Sequence, residues 1–299
     1  MRTPTDNSLA AELIAVVVSV ADGAPHVLTI HDGDALPSGP LELVHRSLQS
    51  GLRTWVERQT SHPLGYVEQL YTFADRDRAN GPVRAISVSY LGLTRQDENE
   101  PGWQSWYAYF PWEDRRETTA MVDDLVGPRL LAWAEQAHTS ARRQRCAITF
   151  GLLGRPWNEE LVLPRYELLY EAGLMPEAHR DGAPAVQLLP GRSMQHDHRR
   201  ILATGIARLR AKIKYRPVVF ELMPETFTLL HLQLAVEALA GRRLHKQNFR
   251  RLIEQQDLVE ETGQISSETG GRPAKLFRFR RDLLLERQVA GTKLPLSRA

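Results

Sequence analysis

Two hydrophobic periodicities share this chain. Leu13 to Val20 (LIAVVVSV) and His26 to Ile30 are rich in β-branched residues, and Asp22-Gly23 between them predicts the tight turn of a β-hairpin. The loop His31 to Pro40 leads to a helical stretch from about Leu43 to Gln59. Gly65 to Phe73 and Val83 to Leu93 read as further strands on either side of the charged loop DRDRANGP, and Gln104 to Phe110 is aromatic and strand-like. Strands, then a helix, then more strands predict one mixed α/β domain. Thr118 to Ala137 and Pro164 to Ala172 read as helices, and Met175 to Gln195, rich in Gly, Pro and polar residues, as a loop. His198 to Ile213 is amphipathic, with Ile201, Gly205, Leu209 and Ile213 along one side, and closes this domain. The boundary falls near Leu222-Met223-Pro224, giving domains 1–222 and 223–299 with an inserted segment at about 112–192.

Beyond that boundary the pattern is two short helices and a hairpin. Leu229, Leu232, Val236 and Leu239 recur at three- and four-residue spacing over Leu229 to Ala240, and Gly241 is placed to end that helix. A second helix spans about Lys246 to Gln256. Phe249, Leu252 and Ile253 form its apolar stripe, and Gln247, Arg250, Arg251 and Glu254 fall on the opposite face, flanked by Lys246 and Asn248. Strand-like Leu258 to Glu261, a polar turn with Gly263, Gly270 and Gly271, and Lys275 to Arg280 complete a winged helix-turn-helix. An exposed helix side carrying Arg, Lys, Asn and Gln has the donors and acceptors that read base edges in a major groove. Arg242 and Arg243 at the helix turn, and Arg272 and Lys275 on the hairpin, stand where phosphates are met.

Charge sharpens this picture. Gly241 to Arg281 holds ten Lys/Arg and five Asp/Glu, a net +5, whereas the whole 299-residue chain is only +2. The segment lacks an aromatic platform for stacking single-stranded bases, so duplex DNA is favoured over RNA. The alternative for the same residues is a solvated basic face on a packing domain. The single cysteine, Cys146, excludes an intrachain disulfide and a multi-cysteine zinc site. The N-terminus lacks a basic stretch followed by an apolar core, and no apolar run approaches the ~20 residues that span a membrane, so the expected compartment is the cytoplasm. His196-Asp197-His198 resembles a metal cluster, but histidines two apart do not share a helix face; a helix cap with surface histidines is expected.

Leu36-Pro37-Ser38-Gly39 and Arg53 resemble the loop and the motif arginine of Nudix domains, whose fold is an α/β/α sandwich. The acids of that motif do not follow. Thr54 stands where the first helix glutamate belongs, Glu57 is retained, Arg58 replaces the next glutamate, His45 takes the upstream Glu position and Thr60 that of the final Gly. Nudix hydrolysis needs several carboxylates on one helix face to hold Mg²⁺ against a pyrophosphate. One carboxylate beside an arginine cannot gather the cations. The resemblance therefore implies a Nudix fold with a degenerate box and no catalytic residues, whose pocket can still hold an uncleaved nucleotide.

VEQLYTFADRDR (Val67 to Arg78), VRAISVSYLGL, the stretch His196 to Leu229, GRRLHKQNFRR and GRPAKLFRF together resemble the Nudix-related transcriptional regulators of NAD metabolism known as NrtR and NadQ. The long middle section is similar to the NadQ-like branch. His245 departs from it, standing where related sequences often carry a capping Asp. The resemblance implies a repressor of NAD biosynthesis genes, a homodimer on operator DNA, and an adenine nucleotide effector: NAD, ADP-ribose or ATP. It implies effector contacts at Arg53, Glu57, Arg58, Tyr71, Phe73 and Asp75, base contacts from Lys246, Gln247, Asn248, Arg250 and Arg251, and phosphate contacts from Arg242, Arg243, Arg272 and Lys275. No enzyme activity or resident cofactor is expected. The competing expectation is an active Nudix hydrolase of ADP-ribose- or NAD-like diphosphates with an appended nucleic-acid module.

Overall fold

The computed structural model describes residues 9–73, 84–97, 100–136, 140–184, 186–266 and 273–280. The charged loop at 75–82, with Asp75, and the hairpin tip, with Gly270, Gly271 and Arg272, lie outside them.

A six-stranded mixed sheet is built around β1 (Leu9–Ala21), which is parallel to β5 (Arg84–Leu93) and antiparallel to β2 (Ala24–Leu28) and β3 (Ser38–Pro40). β4 (Tyr66–Phe73) extends the sheet beyond β5, and β6 (Trp103–Ser105) beyond β2. Asp22 and Gly23 both have positive φ, the backbone of a tight hairpin turn. Because β1 is central, both its faces are covered, which explains its unbroken apolar run. Leu13, Ala15 and Val17 pack with Leu52 and Val56 of α1 (Leu48–Thr60). Ile14, Val16 and Val18 belong to a larger core with α6 (His198–Lys212), which includes Ile201, Leu209 and Ile213. α6 lies so close to β1 that a Cβ at Gly205 would stand 2.8 Å from Val16 Cγ1. Helix, sheet and helix make the expected sandwich.

Several boundaries differ from the periodicity. α1 starts at Leu48 rather than Leu43, because the Ser47 hydroxyl accepts from Ser50 N–H and closes a capping box there. Leu43 and Val44 are exposed ahead of it. The aromatic run is strand only to Ser105; a 3-10 turn follows at Trp106–Ala108, which lets Trp106, Tyr109 and Phe110 all point inward instead of alternating. The stretch beginning at Thr118 contains a π-helical turn, Met121–Val126, before α2 (Gly127–Glu135), where Pro128 suits only a first helical turn. α3 (Ser140–Phe150) was not expected, and α5 (Pro176–Arg180) interrupts the expected loop; α4 is Val162–Glu171. His198 is buried, its Nδ1 accepting from Leu36 N–H at 3.0 Å, so it is no surface histidine. Asp197 occupies the N-cap position of α6 without a side-chain cap hydrogen bond.

The large core continues without interruption from Ile14 through Phe220 and Met223 to Leu258. The C-terminal helices are therefore packed onto the sandwich, not tethered to it.

A winged helix and a Nudix-like face as candidate sites

α7 (Leu229–Ala240) and α8 (Lys246–Gln256) have the ends that the sequence predicts. Thr228 caps α7 by accepting from His231 N–H, and Gly241 ends it at φ 70° in the left-handed region. α8 lacks a side-chain cap at His245, as expected of histidine there. It turns Phe249 and Ile253 into the core and leaves Lys246, Gln247, Asn248, Arg250 and Arg251 exposed. None of those five side chains has a hydrogen bond or ion pair among the described residues. β7 (Val259–Ser266) and β8 (Ala274–Phe279) pair antiparallel, and Phe227 adds a bridge by exchanging both backbone hydrogen bonds with Phe277, at 2.9 and 2.8 Å. This hairpin is the wing.

The phosphate candidates are less free. Arg243, at the turn, pairs with Glu117 of the middle segment and with Glu237 of α7 at 3.1 Å. Arg242 lies 4.0 Å from Glu159. Lys275 donates to both oxygens of Glu261, at 2.8 and 2.9 Å. Two buried residues that organise the turn gave no clear signal in sequence. Glu237 Oε1 accepts from Gln233 Nε2 at 2.8 Å and from Leu244 N–H at 2.9 Å, and Gln233 also donates to the Leu244 carbonyl. A Gln and a Glu four apart on a helix otherwise apolar but for His231 are the only hint.

The Nudix-like side is organised differently from the residue set that resemblance implies. Arg53 donates to the Leu64 and Gly65 carbonyls, tying the middle of α1 to the residues just before β4. Glu57 and Arg58 are exposed, with the Arg58 guanidinium 4.9 Å over the Trp55 ring. Trp55 Nε1 donates to Pro40 O at 2.9 Å, and Gln59 is bonded to both N–H and C=O of Ser38, which clips the LPSG loop to α1. Phe73 belongs instead to the core under α6, on the other side of the sheet, and exposed Tyr71 lies 4.9 Å from it, ring to ring. The structure thus joins Arg53, Glu57 and Arg58 on one face and Tyr71 with Phe73 on the other.

A Nudix fold implies a magnesium site, and the residues present do not fit one. At the three helix positions Thr54, Glu57 and Arg58, one carboxylate stands beside a cation, and Thr54 Oγ1 is bonded to Ser50 O. Among the described residues no three His, Cys, Asp or Glu side chains are grouped to hold a metal. A cleft of about 790 Å³ opens elsewhere, between the β4–β5 edge and the wing, lined by Tyr66, Arg95, Phe220, Glu225, Glu260 and Arg280 among others. No helix among the described residues is long and apolar enough to cross a membrane.

Residues 219–279 match the family described as the NrtR DNA-binding winged helix domain. Over 83 residues the chain is 43% identical to the "ADPR responsive transcriptional repressor NtrR" of Acinetobacter baylyi, 28% of this chain and 33% of that one. The chain thus spans about a third of the length of the curated relative it matches. Shewanella oneidensis NrtR complexed with a 27mer DNA shares the fold at a TM-score of 0.52 and 21% identity, covering 91% of this chain and 94% of that one. A MutT/nudix family protein from Enterococcus faecalis does so at 0.54 and 14%, covering 94% and 90%. The architecture is a Nudix-like α/β/α sandwich followed by a winged helix.

Proposed function

We propose that this chain, in which an NrtR-type winged helix is joined to a Nudix-like domain, is a transcriptional repressor of NAD biosynthesis genes that responds to ADP-ribose. The observation that carries the reading is the exposed face of α8, where five donor- and acceptor-bearing side chains lack partners within the described protein. Lys246, Gln247, Asn248, Arg250 and Arg251 enter the major groove, while Arg242, Arg243, Arg272 and Lys275 meet backbone phosphates. Residues 1–222 sense the effector and 223–299 bind DNA. A homodimer presents two such helices to half-sites about 34–36 Å apart.

The sensor binds without cutting. With one carboxylate where hydrolysis needs a set, ADP-ribose is retained whole, and its differential affinity for two arrangements of the domains alters DNA affinity. NAD and ATP share its adenosine diphosphate portion and compete as effectors. The similarity to an ADPR-responsive repressor of Acinetobacter baylyi supports ADP-ribose among the three.

The test uses the purified full chain and labelled duplexes from upstream of its own neighbouring genes. Fluorescence anisotropy is expected to show salt-dependent binding tighter than to a scrambled duplex, altered by ADP-ribose. With Mg²⁺ and ADP-ribose, no AMP is released. DNA binding indifferent to sequence and salt overturns the repressor reading; steady AMP release overturns the sensor reading.

A further inference from the structure

The turn between α7 and α8 sets the direction in which α8 leaves the core. It is held from outside the winged helix. The last carbonyls of a helix have no partner within it. In α7 they are met by the sandwich and the middle segment: Tyr107 Oη donates to Ala238 O at 2.6 Å and Arg210 Nε to Leu239 O at 2.8 Å. Two residues on, Gly241 O accepts from Arg115 N–H at 2.8 Å. A Cβ on Gly241 would collide with the Glu113 carbonyl oxygen, so the turn is seated directly on residues 113–115.

Behind this contact lies a fully buried charge cluster. Glu113 accepts from Arg165 Nε and Nη2, at 2.5 and 2.9 Å, and from Arg210 Nη1 at 2.5 Å. Arg165 also donates to the Thr149 and Asn158 carbonyls. Two guanidiniums against one carboxylate leave an excess positive charge in the interior. The negative end of the α7 dipole is where Arg210 points, and it offsets that excess. The cluster is therefore incomplete without α7, and without the cluster Leu239 O of α7 loses its Arg210 donor.

Arg210 belongs to α6, the helix seated on β1 through Gly205, and two residues on Lys212 pairs with Glu68 of β4. Displacement of α6 over the sheet reaches the turn through the Arg210 side chain. We propose that Tyr107, Glu113 and Arg210 are positioning residues that carry the state of the Nudix-like domain to the DNA-reading helix. This rests on the proposed function.

The experiment uses full-length wild type, Tyr107→Phe, Arg210→Lys and Glu113→Gln. Three constants are measured for each: Kd for ADP-ribose by calorimetry, and Kd for operator duplex without and with saturating ADP-ribose. Coupling between two sites is typically about 5- to 150-fold, so the ratio of the two DNA constants in wild type is expected in that range. In Tyr107→Phe and Arg210→Lys the ratio falls toward one by at least about threefold, while the ADP-ribose Kd stays within about twofold. An unchanged ratio, or DNA affinity lowered equally with and without ADP-ribose, overturns the inference, because a merely structural role has that signature. If Arg210→Lys or Glu113→Gln does not fold, Tyr107→Phe, which loses one oxygen, decides alone. Wild type without DNA binding or without an ADP-ribose response refutes the functional reading first and the inference with it.

Discussion

Replacing Arg250 by alanine separates reading from holding. Arg250 is exposed near the middle of α8 and has no partner among the described residues. Alanine is at least as good a helix former, so folding stability is expected to stay within about 0.5 kcal/mol. A base-edge contact is worth about 1–3 kcal/mol, which is roughly 5- to 150-fold in Kd. That loss is expected on the operator and to be small on duplexes already altered at the contacted base. Arg243→Ala behaves differently. Its guanidinium is engaged with Glu117 and Glu237, for which a phosphate must compete, so its removal weakens all sequences alike and lowers the salt slope by about 0.9. The assay is anisotropy on operator, single-base variants and scrambled duplex, from about 50 to 200 mM salt. If Arg250→Ala weakens every duplex equally, Arg250 holds phosphate and reads nothing. If Arg250→Ala and Arg251→Ala both leave binding untouched, α8 is not the reading helix.

Three further outcomes follow from the geometry. Gly241→Ala takes on a left-handed backbone worth about 1–2 kcal/mol against it, plus displacement of the Glu113 carbonyl; a drop beyond about 2 kcal/mol in urea unfolding is expected, and an unchanged midpoint would show an adaptable turn. Burial alone would raise the Glu113 carboxyl, but Arg165 and Arg210 outweigh it and hold the group below its ordinary value of 4.5. Its folded pKa being depressed, its contribution is fully present above 4.5 and is lost as pH falls through the lower folded value, so Tm should fall with acid more steeply in wild type than in Glu113→Gln. Parallel slopes would remove Glu113 from acid sensitivity. Lastly, Thr54→Glu with Arg58→Glu sets carboxylates at i, i+3 and i+4 on α1 with Glu57, and divalent-cation affinity should rise above that of wild type by calorimetry; no gain would mean that more than these two acids is missing.

The winged helix was legible because its signals are local. The apolar stripe of α7, Gly241 and the amphipathic split of α8 all lie within 30 residues, and both helices begin and end where the pattern puts them. Residues 43–47 misled because Val44 sits four residues before Leu48, at helical spacing, whereas the Ser47–Ser50 capping box fixes the start. α3 was hidden because Arg142, Arg143, Gln144 and Arg145 precede its first buried residue, Cys146. Long-range pairing left no trace in either partner's neighbourhood. Nothing around Arg243 announces Glu117, 126 positions away, and nothing around His198 announces Leu36. The Nudix-box resemblance located α1 and its clipped loop, yet residue matching cannot say which side of the sheet a strand residue faces. The register shift between Gln69 and Tyr71 falls within that strand, between the segment facing Lys212 and the pair Tyr71 and Phe73.

Bulk charge is a poor guide to what this molecule presents outward. Of 38 Lys and Arg, Arg165, Arg199 and Arg210 are fully buried, paired with Glu113 and Glu177, and contribute little to any field a DNA duplex would feel. Around the turn, Arg243 and Lys275 are partly neutralised by Glu117, Glu237 and Glu261. At that turn, Lys246, Arg250 and Arg251 of α8 have no ion pair among the described residues. Burying charged pairs seldom adds stability over apolar packing, but a charge cluster has one arrangement where an apolar core has many. Here that arrangement ends on the carbonyls of α7, so the same interior that lowers the exposed charge also fixes where the remaining cations point.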